Sequence, residues 1–150
     1  MNTNNVIIDT HTAQSTSTSA STLLPNIGEL LGRVFLASLF LLSGLGKLSA
    51  YDQTAGYMSA FGVPSILLPL VIGFEILSPV AIIIGWNVRA ISLLLAGFSF
   101  FSALVFHTNF ADQIQMIMFL KNMSIAGGFL LLVVNGAGAF SLDAWKKNHR

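Results

Sequence analysis

Between Ser65 and Gly85 the chain reads SILLPLVIGFEILSPVAIIIG, an apolar run whose single charge is the carboxylate of Glu75. A hydrocarbon core of roughly 30 Å needs about 20 mostly apolar helical residues, so this run is long enough to cross a membrane. An ionised side chain near the middle of such a span costs about 2.5–3.5 kcal/mol on insertion scales. A soluble core gives no reason to accept that cost, whereas a membrane bundle with a polar interior does. The chain is therefore read as a membrane protein, and the chemical question is what partners Glu75.

Composition supports that class. Hydrophobic residues are 54% and charged residues 9% of the chain, against about 25% charged in soluble domains. A length of 150 residues accommodates one domain of four spans with short loops and no second catalytic domain. The net charge of +1 carries little information, and nucleic acid is not an expected partner; membrane lipid is. There is no cysteine, which removes thiolate catalysis and thiolate-held zinc or iron–sulfur sites.

Residues 1–26 differ from the rest. The tract TAQSTSTSASTLLPN has no periodicity and little to bury, so a disordered tail is expected there. It lacks a basic n-region and an apolar h-region, so retention is expected. From 27 to 150 the chain reads as one all-α domain, a four-helix membrane bundle. The first segment runs from about Glu29 to Leu48. A connector, YDQTAGYMSAFGVP, reads as a short interfacial helix and a turn. The second segment is Ser65–Trp86 with Pro69 and Pro79 inside it, where prolines are tolerated and usually kink the helix. A very short turn at Trp86–Arg89 leads into the third, Ala90 to about Phe106. A polar loop precedes the fourth, Met116 to about Ala139.

Four spans place both termini on one side. Arg33, Arg89, Lys146, Lys147 and Arg150 fall on that side and Lys47 and Lys121 on the other, so the positive-inside rule puts both termini in the cytoplasm of a bacterial inner membrane. Trp86 and Trp145 would mark that face, and Tyr51 and Tyr57 the opposite one. A faint internal echo, Asp52-Gln53 with Met58 and Asp112-Gln113 with Met118, would suit two parallel helical hairpins.

The polar residues share faces. At 100° per residue, Arg33, Phe40 and Lys47 lie on one stripe of the first span with Ala37 and Gly44 beside them, and Glu29 stands one turn before Arg33 as an i,i+4 pair. Lys121, Gly128 and Asn135 make a stripe on the fourth span, next to Asn122 and Ser124. Ala96, Ser99, Ala103 and His107 give the third span a small-residue face. Such faces turned to one another form a polar seam with the apolar faces left to lipid. Depth along the helices makes Lys121 the first expected partner of Glu75, Lys47 the second and Arg33 the third. One carboxylate, two lysines and His107 suit an anionic or quinone-like ligand. The competing reading is an ion pair that only fixes helix register.

His107 is the only histidine within the bundle, since His11 and His149 lie in the tails. Bis-histidine haem ligation within the chain is thereby excluded, and no metal site is expected. As a residue at a helix end, His107 also reads as an interfacial hydrogen-bonder. No phosphate-binding glycine loop, nucleophile elbow or zinc motif is present.

In GRVFLASLFLLSGLGKL (32–48), YDQTAGYMSAFGVP (51–64), Glu75, and MFLKNMSIAGGFLLLVVNGAGAFSLD (118–143) the chain resembles the DoxX family of small bacterial membrane proteins, in its inner-membrane branch. The resemblance implies a four-helix inner-membrane protein whose recurring polar positions correspond to Arg33, Lys47, Glu75, Lys121 and Asn122. It also implies a kinship with membrane subunits of thiosulfate:quinone oxidoreductases and with proteins that associate with thiol- or superoxide-handling enzymes. The expectation is a membrane component of a redox or oxidative-stress assembly, not a complete enzyme by itself, with redox partner proteins and quinone contact. A small carrier or proton-coupled permease using Glu75, and a structural partner-binding subunit, are the alternatives.

Overall fold

The computed structural model describes residues 5–149, with side chains described from Leu23 onward. Helix α1 (Asn5–Ser49) is followed by α2 (Tyr51–Ala60), a 3-10 turn (Ser65–Leu67), α3 (Leu68–Ile84), α4 (Val88–Phe106), α5 (Gln113–Asn135) and α6 (Leu142–Asn148). Among the described residues there is no strand, and four helical stretches are long and apolar enough to cross a membrane: Leu23–Ser49, Ser65–Ile84, Val88–Phe106 and Gln113–Asn135. The tail expected to be disordered falls almost wholly outside the described side chains. Its last residues, Leu23–Asn26, are helical and begin the apolar part of α1 earlier than expected.

The bundle is assembled from two helix pairs. Helix α1 packs along α3, and α4 along α5; contact between α3 and α4 is slighter despite the short turn that joins them. Gly44 explains how close α1 comes to α3. A Cβ at Gly44 would stand 2.9 Å from Ile76 Cγ1 and 3.1 Å from Glu75 Cβ, so glycine permits the backbones to meet there. The main core joins both pairs through Ala37, Phe40, Ile82, Leu95, Ile125 and Phe129. Phe40 meets Phe129 edge-on at 5.5 Å between ring centroids and Phe98 at 6.1 Å, a favoured geometry for aromatic pairs. Outward-facing Leu42, Leu70, Leu77 and Leu131 are exposed, as side chains that face lipid would be.

The two prolines of α3 act differently. Pro69 sits in the first turn, where its missing N–H has no helical acceptor to lose, so it is not inside the helix where a kink was expected. Pro79 is inside the helix and buried. It cannot donate to the carbonyl four residues earlier, which is that of Glu75.

The end that carries the C-terminus is closed by a strap. Helix α3 stops at Gly85, whose φ of +76° is the left-handed conformation glycine adopts freely; a Cβ there would overlap Ser141 and the Arg33 guanidinium. Asp143 of α6 accepts hydrogen bonds from the backbone N–H groups of Asn87 and Val88, at 2.8 and 2.9 Å, and so caps α4. At the opposite end α2 docks on α4: Tyr57 stacks on Phe106 with centroids 5.5 Å apart, and Phe61 meets the same ring edge-on.

Candidate functional site

Near the α2 end the two helix pairs separate enough to leave a cavity of about 410 Å³. Its inner end is lined by Phe40 and Phe98, which also belong to the main aromatic packing, and its outer end by Thr54, Tyr57, Phe106 and His107. Lys47, Glu75, Lys121 and Asn122 supply the remaining polar lining. The walls are otherwise aromatic and aliphatic, the mixture typical of a small-molecule site.

Glu75 does not pair with Lys121. Its Oε2 accepts from Lys47 Nζ at 2.7 Å, so the first expected partner gives way to the second. The reason lies in packing. Gly44 brings α1 against α3 at Glu75 itself, and Lys47, one turn further along α1, needs only its own stem to reach the carboxylate. Ser43 Oγ also accepts from Lys47 Nζ at 2.7 Å and steers it inward. The Glu75 side chain is 4% exposed and that of Lys47 24%. Among the described residues the second carboxylate oxygen, Oε1, has no hydrogen-bond partner, and Glu75 lines the cavity.

Lys121 lines the cavity but is exposed within the single chain and makes no ion pair with a described carboxylate. The buried face of α5 is formed by Ile125, Ala126 and Phe129; of the expected stripe Gly128 does face inward, against Leu36 of α1, whereas Lys121 and Asn135 are exposed. Phe129 fills the centre of the bundle and rotates α5 so that Lys121 and Asn135 lie at its margin. Asn122, half-buried, donates Nδ2–H to the Met118 carbonyl at 3.0 Å, which leaves Oδ1 free for other donors. His107 is half-buried, and its Nδ1 lies 2.8 Å from Gln115 Oε1, tying the end of α4 to the start of α5.

Arg33 lies apart from this cavity. It is fully buried at the strap end, where its guanidinium donates to the carbonyls of Ile82, at 3.3 Å, and Phe140. A cation at that point also complements the negative end of the α3 dipole. Glu29, expected as its i,i+4 partner, forms no ion pair with it; its carboxylate turns towards Gly138. Five of the six residues expected in the seam thus line one cavity, and the sixth fastens the far end. Thr54 and Ser102 were not singled out in the sequence, and Tyr57 was read only as an interfacial aromatic. The position of Tyr57 within the connector was legible, but its turn towards the cavity depends on the docking of α2. Among the described residues no group of three or more histidine, aspartate or glutamate side chains converges as a metal site would require.

The fold and cavity define a small multi-pass helical membrane protein with a mostly apolar chamber that carries a few charged and polar side chains. The DoxX family model matches residues 28–108, and the chain belongs to the DoxX family. It is similar to the inner membrane protein YqjF of Escherichia coli, with 44% identity over 120 residues, 80% of this chain and 92% of the relative. It is also similar to the inner membrane protein YphA of the same organism, with 34% identity over 121 residues, 76% of this chain and 86% of the relative. No solved structure matches significantly. The chain is thus an integral, multi-pass inner-membrane protein. The family match ends before the segment 118–143 on which part of the resemblance rested, so Lys121 and Asn122 lie beyond it.

Proposed function

We propose that the cavity binds a quinone-like amphiphile and that the protein is the membrane component of a redox or oxidative-stress assembly. The observation that carries the reading is the chemistry of the cavity lining: aromatic walls from Phe40, Phe98 and Phe106 beside a partly buried Lys47–Glu75 pair and two further polar side chains from α5. A ring of quinone size would lie against the aromatic walls. Its carbonyl oxygens would accept from the Lys121 ammonium, and a hydroxyl of its reduced form would donate to Glu75 Oε1. Electron delivery would fall to a partner protein, since the chain has no cysteine pair to carry electrons.

The test is extraction of lipids from protein purified in mild detergent, with quinone quantified against empty micelles. The reading predicts retention of about one quinone per chain, as expected for a site that buries most of its ligand. Quinone at the level of micelle partition would overturn it. Substrate flux by the protein alone in proteoliposomes, without quinone retention, would favour the carrier alternative.

A further inference from the structure

The charges in the cavity do not balance. Four ionisable side chains that could carry charge near neutral pH line it, contributed by every packed element at that level: Lys47 from α1, Glu75 from α3, His107 at the end of α4 and Lys121 from α5, with the phenol of Tyr57 from α2 at the mouth. Lys47 and Glu75 sum to zero, whether both are ionised or a proton has crossed the 2.7 Å between them. His107 is neutral or positive and can supply no negative charge. Lys121 therefore tips the lining towards positive charge, since no described carboxylate pairs with it. Lys121 is exposed within the single chain, so its stem can turn towards the chamber it lines, where an anionic ligand group would be a favourable partner among apolar walls.

We infer that the cavity selects a ligand whose polar end is a monoanion, such as an ionised ring hydroxyl or a carboxylate, held by Lys121 with its apolar body against Phe98 and Phe106. This deepens the quinone reading and rests on it for the ring, but not for the charge. A neutral quinone would meet Lys121 with a carbonyl dipole only; an anion of the same shape gains a charge-assisted bond in a site of low dielectric.

A matched pair of ligands separates the two claims. Titration of the purified protein in zwitterionic detergent would use a naphthoquinone with an acidic ring hydroxyl, ionised at neutral pH, and its methyl ether. The expected result is tighter binding of the anion by about tenfold or more, the scale of one charge-assisted contact. In Lys121→Gln that preference should collapse to within a factor of about two while both compounds still bind, and Lys121→Arg should retain it. The charge-conserving variant and the wild-type comparison keep the test decisive even if Lys121→Gln is poorly folded. Equal affinities in the wild type, or a preference that survives in Lys121→Gln, would overturn the inference and leave the quinone reading standing. If neither ring compound binds, the quinone reading fails. A medium-chain fatty carboxylate then decides the charge claim: Lys121-dependent binding supports it, and no binding overturns it.

Discussion

Glu75 and Lys47 form a pair whose members cannot be removed singly without consequence. Glu75→Gln leaves an ammonium beside an apolar wall, and Lys47→Met leaves a carboxylate that is 4% exposed without its counter-charge. Breaking a buried pair costs about 3–5 kcal/mol, and the partial exposure of Lys47 places the expected loss near the lower end. The double variant should recover most of that stability, whereas Lys121→Met should leave it nearly unchanged. Thermal melting in detergent of all four variants checks this. A destabilised Lys121→Met with an indifferent Lys47→Met would restore the partner expected from depth alone. Those depth arguments misassigned the partner because they counted residues along each helix and took no account of which helices touch. Lys47 and Lys121 lie at similar levels, and only the closeness of α1 to α3 at Gly44 separates them. Arg33 gives a second residue-scale expectation. Arg33→Met removes charged donors from the carbonyls of Ile82 and Phe140, each hydrogen bond of this kind being worth about 1.5–3 kcal/mol. It should lower the melting temperature and open residues 136–148 to proteolysis, while leaving ligand binding in the distant cavity intact.

At the scale of elements, the account depends on the contact of α1 with α3. Gly44→Ala would place a Cβ 3.2 Å from the Glu75 backbone carbon and closer still to Ile76. Overpacking of this type costs about 1–3 kcal/mol. The expected outcome is a measurable loss of stability together with weaker ligand binding, since the helix that carries Lys47 is pushed away. Gly46→Ala, on the same helix with open space at its Cβ, is the control and should be neutral or slightly stabilising. Element identity was legible in the sequence for all four spans, because runs of apolar residues bounded by Gly, Pro and polar loops leave little freedom in a membrane. The buried face of α1 was legible too: Arg33, Ala37, Phe40 and Gly44 point inward. The face of α5 was not. Its sequence is apolar nearly all round, so its rotation is set by where Phe129 finds space against Phe40, a tertiary fact that no periodicity encodes.

For the whole molecule, an even number of crossings places the start of the first span and α6 on one side. The basic residues Arg89, Lys146 and Lys147 gather there with Trp86 and Trp145, and Lys146 lies over the Trp86 ring. A cytoplasmic location for that side is expected. A fluorescent fusion at the C-terminus should be bright and an alkaline phosphatase fusion inactive; the reverse would invert the topology and turn the cavity mouth towards the cytoplasm. The pairing of α1 with α3 and of α4 with α5 fits the two-hairpin arrangement suggested by the repeated Asp-Gln pairs, with Asp112 capping α5 through the Ile114 N–H and Asp52 in the first turn of α2.

The central claim is that the chamber between these pairs holds the ligand. Ser102 lines it from α4 and is only half-buried, so Ser102→Trp would fill it from the wall without touching the Lys47–Glu75 pair. The most direct measurement is quinone titration of the purified wild type and of this plugged variant, with helicity and melting temperature followed in parallel. The account predicts saturable binding with one site per chain in the wild type and none in a folded Ser102→Trp protein. Undiminished binding by the plugged variant would place the ligand elsewhere and contradict it.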